Sequence, residues 1–157
     1  MDLRLYHNSH EFYYRSSFGA VPSGSRLILR LRASGSDAQN CRARIRLWQI
    51  NVGESFVPMS YEDGIFTGIV TIPPKGCLLW YYFIIDDGHR TFYYGNNYDR
   101  LGGEGAKYPD VPPAYQVTVY DKDAHTPDWF KHAIVYQIFP DRFRHGTHTS
   151  GRLYGKK

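Results

Sequence analysis

The chain has 157 residues, enough for one compact domain and a short extension. With 42% hydrophobic and 22% charged residues it is globular rather than disordered. Its net charge of +4 is mild, its two cysteines (Cys41 and Cys77) are too few for a disulfide scaffold, and no run approaches the roughly 18 apolar residues of a membrane helix.

In chain order, Met1-Asp2-Leu3-Arg4 leads into polar sequence without the apolar core of a signal peptide, so a cytoplasmic protein is the simplest expectation. Residues 11–14 are a first strand candidate. Residues 26–32 alternate strictly, with Leu27, Leu29 and Leu31 on one side and Ile28, Arg30 and Arg32 on the other. Residues 42–48 repeat the pattern, Ala43, Ile45 and Leu47 standing opposite Arg42, Arg44 and Arg46. Arginines at alternate positions read as a solvated sheet face rather than a polyanion groove. Further strands are expected at 56–61, 65–72, 78–85, 90–94 and 114–120, punctuated by Gly, Pro and Asp turns. Asp86-Asp87-Gly88 marks a hairpin. Residues 78–85 are apolar on both faces, as in a central strand covered twice or one whose outer face makes contacts. A loop rich in Gly and Pro separates the last two strands, at residues 95–113, and loops of that length are usually functional or flexible. Short strands at close spacing without a convincing helix predict an all-β fold, an immunoglobulin-like antiparallel β-sandwich over residues 1–121.

A linker at 122–131 leads into residues 132–157. Here Ala133-Ile-Val-Tyr-Gln-Ile-Phe139 is apolar but for Gln137, the pattern of a buried parallel strand, and Pro140 stops it. Such a strand needs neighbours on both edges, so the chain is expected to continue past Lys157. The segment from Thr126 to Phe143, containing Thr126-Pro-Asp-Trp129 and Ile134-Val-Tyr-Gln-Ile-Phe-Pro-Asp-Arg-Phe143, resembles the opening of the catalytic (β/α)8 barrel in the α-amylase family, glycoside hydrolase family thirteen. Leu101-Gly-Gly-Glu-Gly105 and Tyr115-Gln-Val-Thr-Val-Tyr-Asp121 look like the end of the N-terminal module of neopullulanases, cyclomaltodextrinases and maltogenic amylases.

The resemblance implies a parent enzyme that cleaves α-glucosidic bonds with retention, using two carboxylates about 5–5.5 Å apart at the ends of later barrel strands. Those strands lie beyond this chain, so no catalytic residue is assigned and the fragment alone is expected to be inactive. Asp141 reads as a strand-end ion pair beside Arg142 rather than an acid or base. Many relatives follow the strand with a calcium loop, but Arg144-His-Gly-Thr-His-Thr-Ser-Gly151 has no carboxylate, and His145 and His148 lack a third ligand. No metal and no cofactor are expected.

Aromatic residues make up 17% of the chain, which suits both strands and sugar-stacking surfaces. The expected partner is an α-glucan: starch, maltodextrin, cyclodextrin or pullulan. Candidate sugar-binding residues are Trp48, Trp80, Tyr93, Tyr94 and Tyr98. Trp48 shares the arginine face and should point outward, whereas Trp80 reads more readily as core and Tyr93–Tyr94 as cross-strand packing. The resemblance equally implies a homodimerising, purely structural module. A basic barrel binding single-stranded nucleic acid is a further alternative, one that the barrel-strand motif does not support.

Overall fold

The computed structural model describes residues 3–139. Met1–Ala124 and His125–Lys157 form two separate units. The first unit is a β-sandwich. Its strands are β1 (Arg4–Tyr6), β2 (Val21–Pro22), β3 (Arg26–Ser34), β4 (Arg42–Gln49), β5 (Gly53–Pro58), β6 (Ser60–Glu62), β7 (Ile65–Thr71), β8 (Cys77–Asp86), β9 (Thr91–Gly95), β10 (Ala106–Tyr108) and β11 (Tyr115–Tyr120).

One sheet has the order β1-β3-β7-β6. The second is built around β8, which pairs with β4 along one edge, and β4 in turn with β5. The other edge of β8 is divided. Its first half, residues 77–81, pairs with β11, and its second half, residues 83–86, pairs with β9. β10 extends β9, while β2 adds to β11 in the single parallel pairing among the described strands, through Val119↔Val21 and Tyr120↔Pro22.

Alternation places the core as expected. Leu27, Leu29 and Leu31 of β3 meet Ile45 and Leu47 of β4 and Leu79, Tyr81, Phe83 and Ile85 of β8, all buried. Fully burying side chains of this size contributes about 1.5–3 kcal/mol each. Gly68 permits close approach of the sheets, since a Cβ there would lie 2.4 Å from Ile45 Cδ1.

Some expectations are corrected. Residues 11–14 form a turn, because Tyr14 N and Arg15 N both donate to Glu11 O, and only then does the chain touch β3 through the bridge Arg15↔Leu29. The run at 56–61 breaks at Met59 into β5 and β6, which join different sheets. β1, β2 and β10 are too short to show alternation. In the second unit the described residues hold one short helix, α1 (Asp128–Lys131), and no strand at 133–139, where Ile134, Val135 and Tyr136 are exposed. A parallel strand requires hydrogen-bonded strands on both edges, and no described strand pairs with this segment. Asp141, His145, His148 and the loop 144–151 lie outside the described residues.

Candidate functional site

Because Leu79, Tyr81, Phe83 and Ile85 occupy the inner face of β8, its alternate residues must face outward. That row is Leu78, Trp80, Tyr82 and Ile84; no described sheet covers it, but neighbouring side chains bury Tyr82 and Ile84, leaving Leu78 exposed and Trp80 half-buried. Trp80 is therefore an outer-face residue and not core. It is paired in register with Trp48 of β4, and the two half-buried indoles lie 5.0 Å apart between centroids, tilted by 55°. Along the same face, Tyr82 packs edge-on against Tyr93 of β9 at 6.0 Å. The arginines of β4 lie over this surface. Arg46 sits 5.2 Å above the Tyr82 ring and pairs with Glu54, and Arg44 sits 5.0 Å from the Phe56 ring. Stacked guanidinium groups shield the rings at their edges and hold their orientation. Burial raises the Tyr82 hydroxyl above its ordinary value, against the lowering by Arg46, so it remains a hydrogen-bond donor at neutral pH.

Beside β11 and Trp80 of β8, a groove of about 650 Å³ opens. Trp80, Gln116 and Thr118 line its sheet side, Asn96, Arg100 and Leu101 belong to the long loop, and His10, Arg15 and Phe18 come from the N-terminal segment. The volume falls in the ordinary range for small-ligand sites. Asn96 is structural: its amide nitrogen donates to Ala114 O, and its side-chain oxygen accepts from the backbone of Asn97 and Gly102.

The Leu101-Gly-Gly-Glu-Gly105 motif fastens the N-terminal segment. Ser9 N donates to Gly103 O, Gly103 N donates to Ser9 Oγ, and Gly105 N donates to His7 O. A Cβ on Gly105 would lie 2.1 Å from both Gly95 O and the Tyr115 hydroxyl, so glycine is required for space. His7 is fully buried. Its Nδ1 is 2.7 Å from Arg30 O and its Nε2 is 3.0 Å from the Tyr81 hydroxyl. Burial lowers its pKa to about 4, against the raising effect of the Arg30 carbonyl.

The structure separates the sequence-predicted residues into three groups. Trp48, Trp80 and Tyr93 share the outer face. Tyr94 points the opposite way, is 2% exposed, and bonds the backbone of His7 through its hydroxyl, whose pKa burial pushes up to about 12. Tyr98 is exposed in the loop, against Tyr108 at 5.3 Å. The sequence does not mark Tyr82 or the groove residues His10, Arg15, Arg100 and Gln116 as site residues, and it presents Arg46 only as part of a solvated face. Tyr82 was within reach, since it shares parity with Trp80, but the groove joins segments far apart in the chain. Cys41 and Cys77 are both free thiols. Among the described residues no group of three or more His, Cys, Asp or Glu side chains is placed to hold a metal, and no helix is long and apolar enough to cross a membrane.

No family model matches the chain. It is similar to an amylopullulanase of Thermoanaerobacterium thermosulfurigenes, 40% identical over 153 residues, which cover 90% of this chain and 8% of that protein. An amylopullulanase of Thermoanaerobacterium saccharolyticum is 40% identical over 152 residues (90% and 12%), and one of Thermoanaerobacter thermohydrosulfuricus 38% over 162 residues (97% and 10%). The chain thus spans about a tenth of the length of the curated relatives it matches.

Proposed function

We propose that this chain is an N-terminal accessory part of a larger α-glucan hydrolase of the α-amylase type, and that its sandwich binds α-glucan on the outer face of the β8 sheet. The similarity to amylopullulanases along 90% or more of the chain supports the parentage. The Trp48–Trp80 pair carries the binding reading. Glucose rings present apolar faces that stack on indole, while neighbouring hydroxyl and guanidinium groups donate to sugar oxygens. Tyr82, Tyr93 and Arg46 supply those donors beside the platform. A single platform of this kind binds weakly, and linkage to a catalytic domain raises its effective affinity. Retaining cleavage requires a carboxylate nucleophile and a carboxylic acid about 5–5.5 Å apart. We assign both to the parent protein outside these 157 residues, and this chain hydrolyses no glucan by itself.

Electrophoresis through amylose-containing gels tests the platform. The chain should be retarded, and Trp48→Ala should abolish most of the retardation without altering the fold, because the residue projects away from the core. Undiminished retardation of Trp48→Ala overturns this reading.

A second reading is favoured by one observation. Phe12, Tyr13 and Phe18 of the N-terminal segment are 70%, 52% and 62% exposed. Large exposed aromatics are enriched at interfaces, which suits a sandwich that dimerises the parent enzyme. Sedimentation of that enzyme with and without residues 1–124 decides it: a dimer that becomes a monomer supports the interface, and a monomer in both cases rejects it.

A further inference from the structure

The groove beside Trp80 has a chemistry unlike that of the open platform. None of its lining residues is acidic, whereas Arg15, Arg100 and His10 all line it. Arg15 is only 7% exposed. Its Nη1 and Nη2 donate to the carbonyls of Gln116 and Gly19 at 3.2 and 2.7 Å, and its buried Nε has no hydrogen-bond partner among the described residues. No described carboxylate pairs with it. A buried cation with neither counter-charge nor a full set of acceptors is costly, and such a group is stabilised when an anion enters. Arg100 stands at the rim in a left-handed backbone conformation, φ 59°. That conformation is uncommon outside glycine, and asparagine tolerates it better than most residues. Leu101, 78% exposed, and the indole of Trp80 add apolar surface to the same groove.

We propose that the groove is a binding site for an anionic saccharide, with the sugar ring against Trp80 and a phosphate ester or carboxylate held by Arg100 and the Arg15 guanidinium. Guanidinium groups bind both oxyanions in the same forked manner. The site adjoins the proposed glucan platform and shares Trp80 with it, but it differs in ligand, which needs only one sugar ring and one charge.

Calorimetric titration of the 157-residue chain with glucose 6-phosphate, glucuronate, glucose and inorganic phosphate tests the proposal. Charge-assisted hydrogen bonds exceed neutral ones by enough that the acidic sugars should bind about tenfold or more tightly than glucose. The preference should shrink with added salt. The tighter of glucose 6-phosphate and glucuronate identifies the anion. Arg100→Asn keeps the left-handed turn and should remove most of the preference at an unchanged melting temperature. Arg15→Gln should remove it too, and if that variant fails to fold, His10→Gln with Arg100→Asn carries the test. Equal binding of acidic and neutral sugars overturns the site, as does full preference retained in Arg100→Asn. Inorganic phosphate binding as tightly as glucose 6-phosphate overturns the part assigned to the Trp80 ring.

Discussion

His7 Nε2 lies 3.0 Å from the Tyr81 hydroxyl, joining the N-terminal segment to the middle of the central strand inside a cage of aromatic rings. This contact makes folding sensitive to mild acid. The folded-state pKa of His7 is about 4, below its ordinary value of 6.5, so the unfolded chain binds the proton more tightly. The associated stability is fully present above about pH 6.5 and is lost as pH falls toward 4. At about 1.4 kcal/mol per pH unit, the loss approaches about 3 kcal/mol. Denaturant unfolding between pH 8 and pH 4 should show it, and His7→Gln should flatten the dependence in that window. An unaltered pH profile in His7→Gln contradicts the assignment.

Gly105→Ala is expected to cost about 3 kcal/mol or more, at the upper end for overpacking, because both obstructing atoms are held in place. One is a backbone carbonyl and the other the hydroxyl of Tyr115, a buried ring stacked 5.0 Å from Tyr81. Thermal unfolding of the variant measures it. A melting temperature within a degree or two of the wild type would mean that the loop and β9 can separate freely.

The legibility of the strands in the sequence depends on their length and on how many of their faces are buried. β3 and β4 were legible because one face is buried and the other carries arginines, which leaves one solution for their parity. β8 was not, since Leu78, Trp80, Tyr82 and Ile84 are as apolar as the inward row, so nothing in the residues told which face Trp80 took. The same parity problem hid Tyr94, which had to face inward once Tyr93 faced outward. The groove was invisible for a different reason: Arg15, Arg100 and Gln116 meet only through the pairing of distant strands.

Trp48 and Trp80 should behave as one unit in glucan binding. Each alanine variant should weaken amylose retention several-fold, consistent with about 0.5–1.5 kcal/mol for an aromatic contact. The double variant should lose less than the two single losses combined, since removing either ring dismantles the shared surface. Strict additivity would mean that the rings bind independently.

The two cysteines should remain reduced under ordinary oxidising conditions. Cys41 stands just before β4, beside the Asp86 end of β8, whereas Cys77 opens β8 near the Gln49 end of β4. The register sets Cys41 opposite Asp87, ten residues along the strand from Cys77, about 33 Å and far beyond the span of a disulfide. Burial raises both thiols above their ordinary pKa. A thiol-specific reagent should therefore modify Cys77 slowly and Cys41 only on unfolding. Detection of a Cys41–Cys77 bridge would contradict the sheet register.

The divided edge of β8 also governs how the sandwich breathes. Since β11 protects residues 77–81 and β9 protects residues 83–86, each flap can peel away while the other stays docked, and β4 guards the opposite side throughout. Amide protons along this one strand would then exchange in two kinetic classes, divided near Tyr82. Lifting β11 would widen the groove beside Trp80, one wall of which it forms, but would also uncover Tyr115, Val117 and Val119 of the core, so a bulky guest gains entry only at the cost of packing.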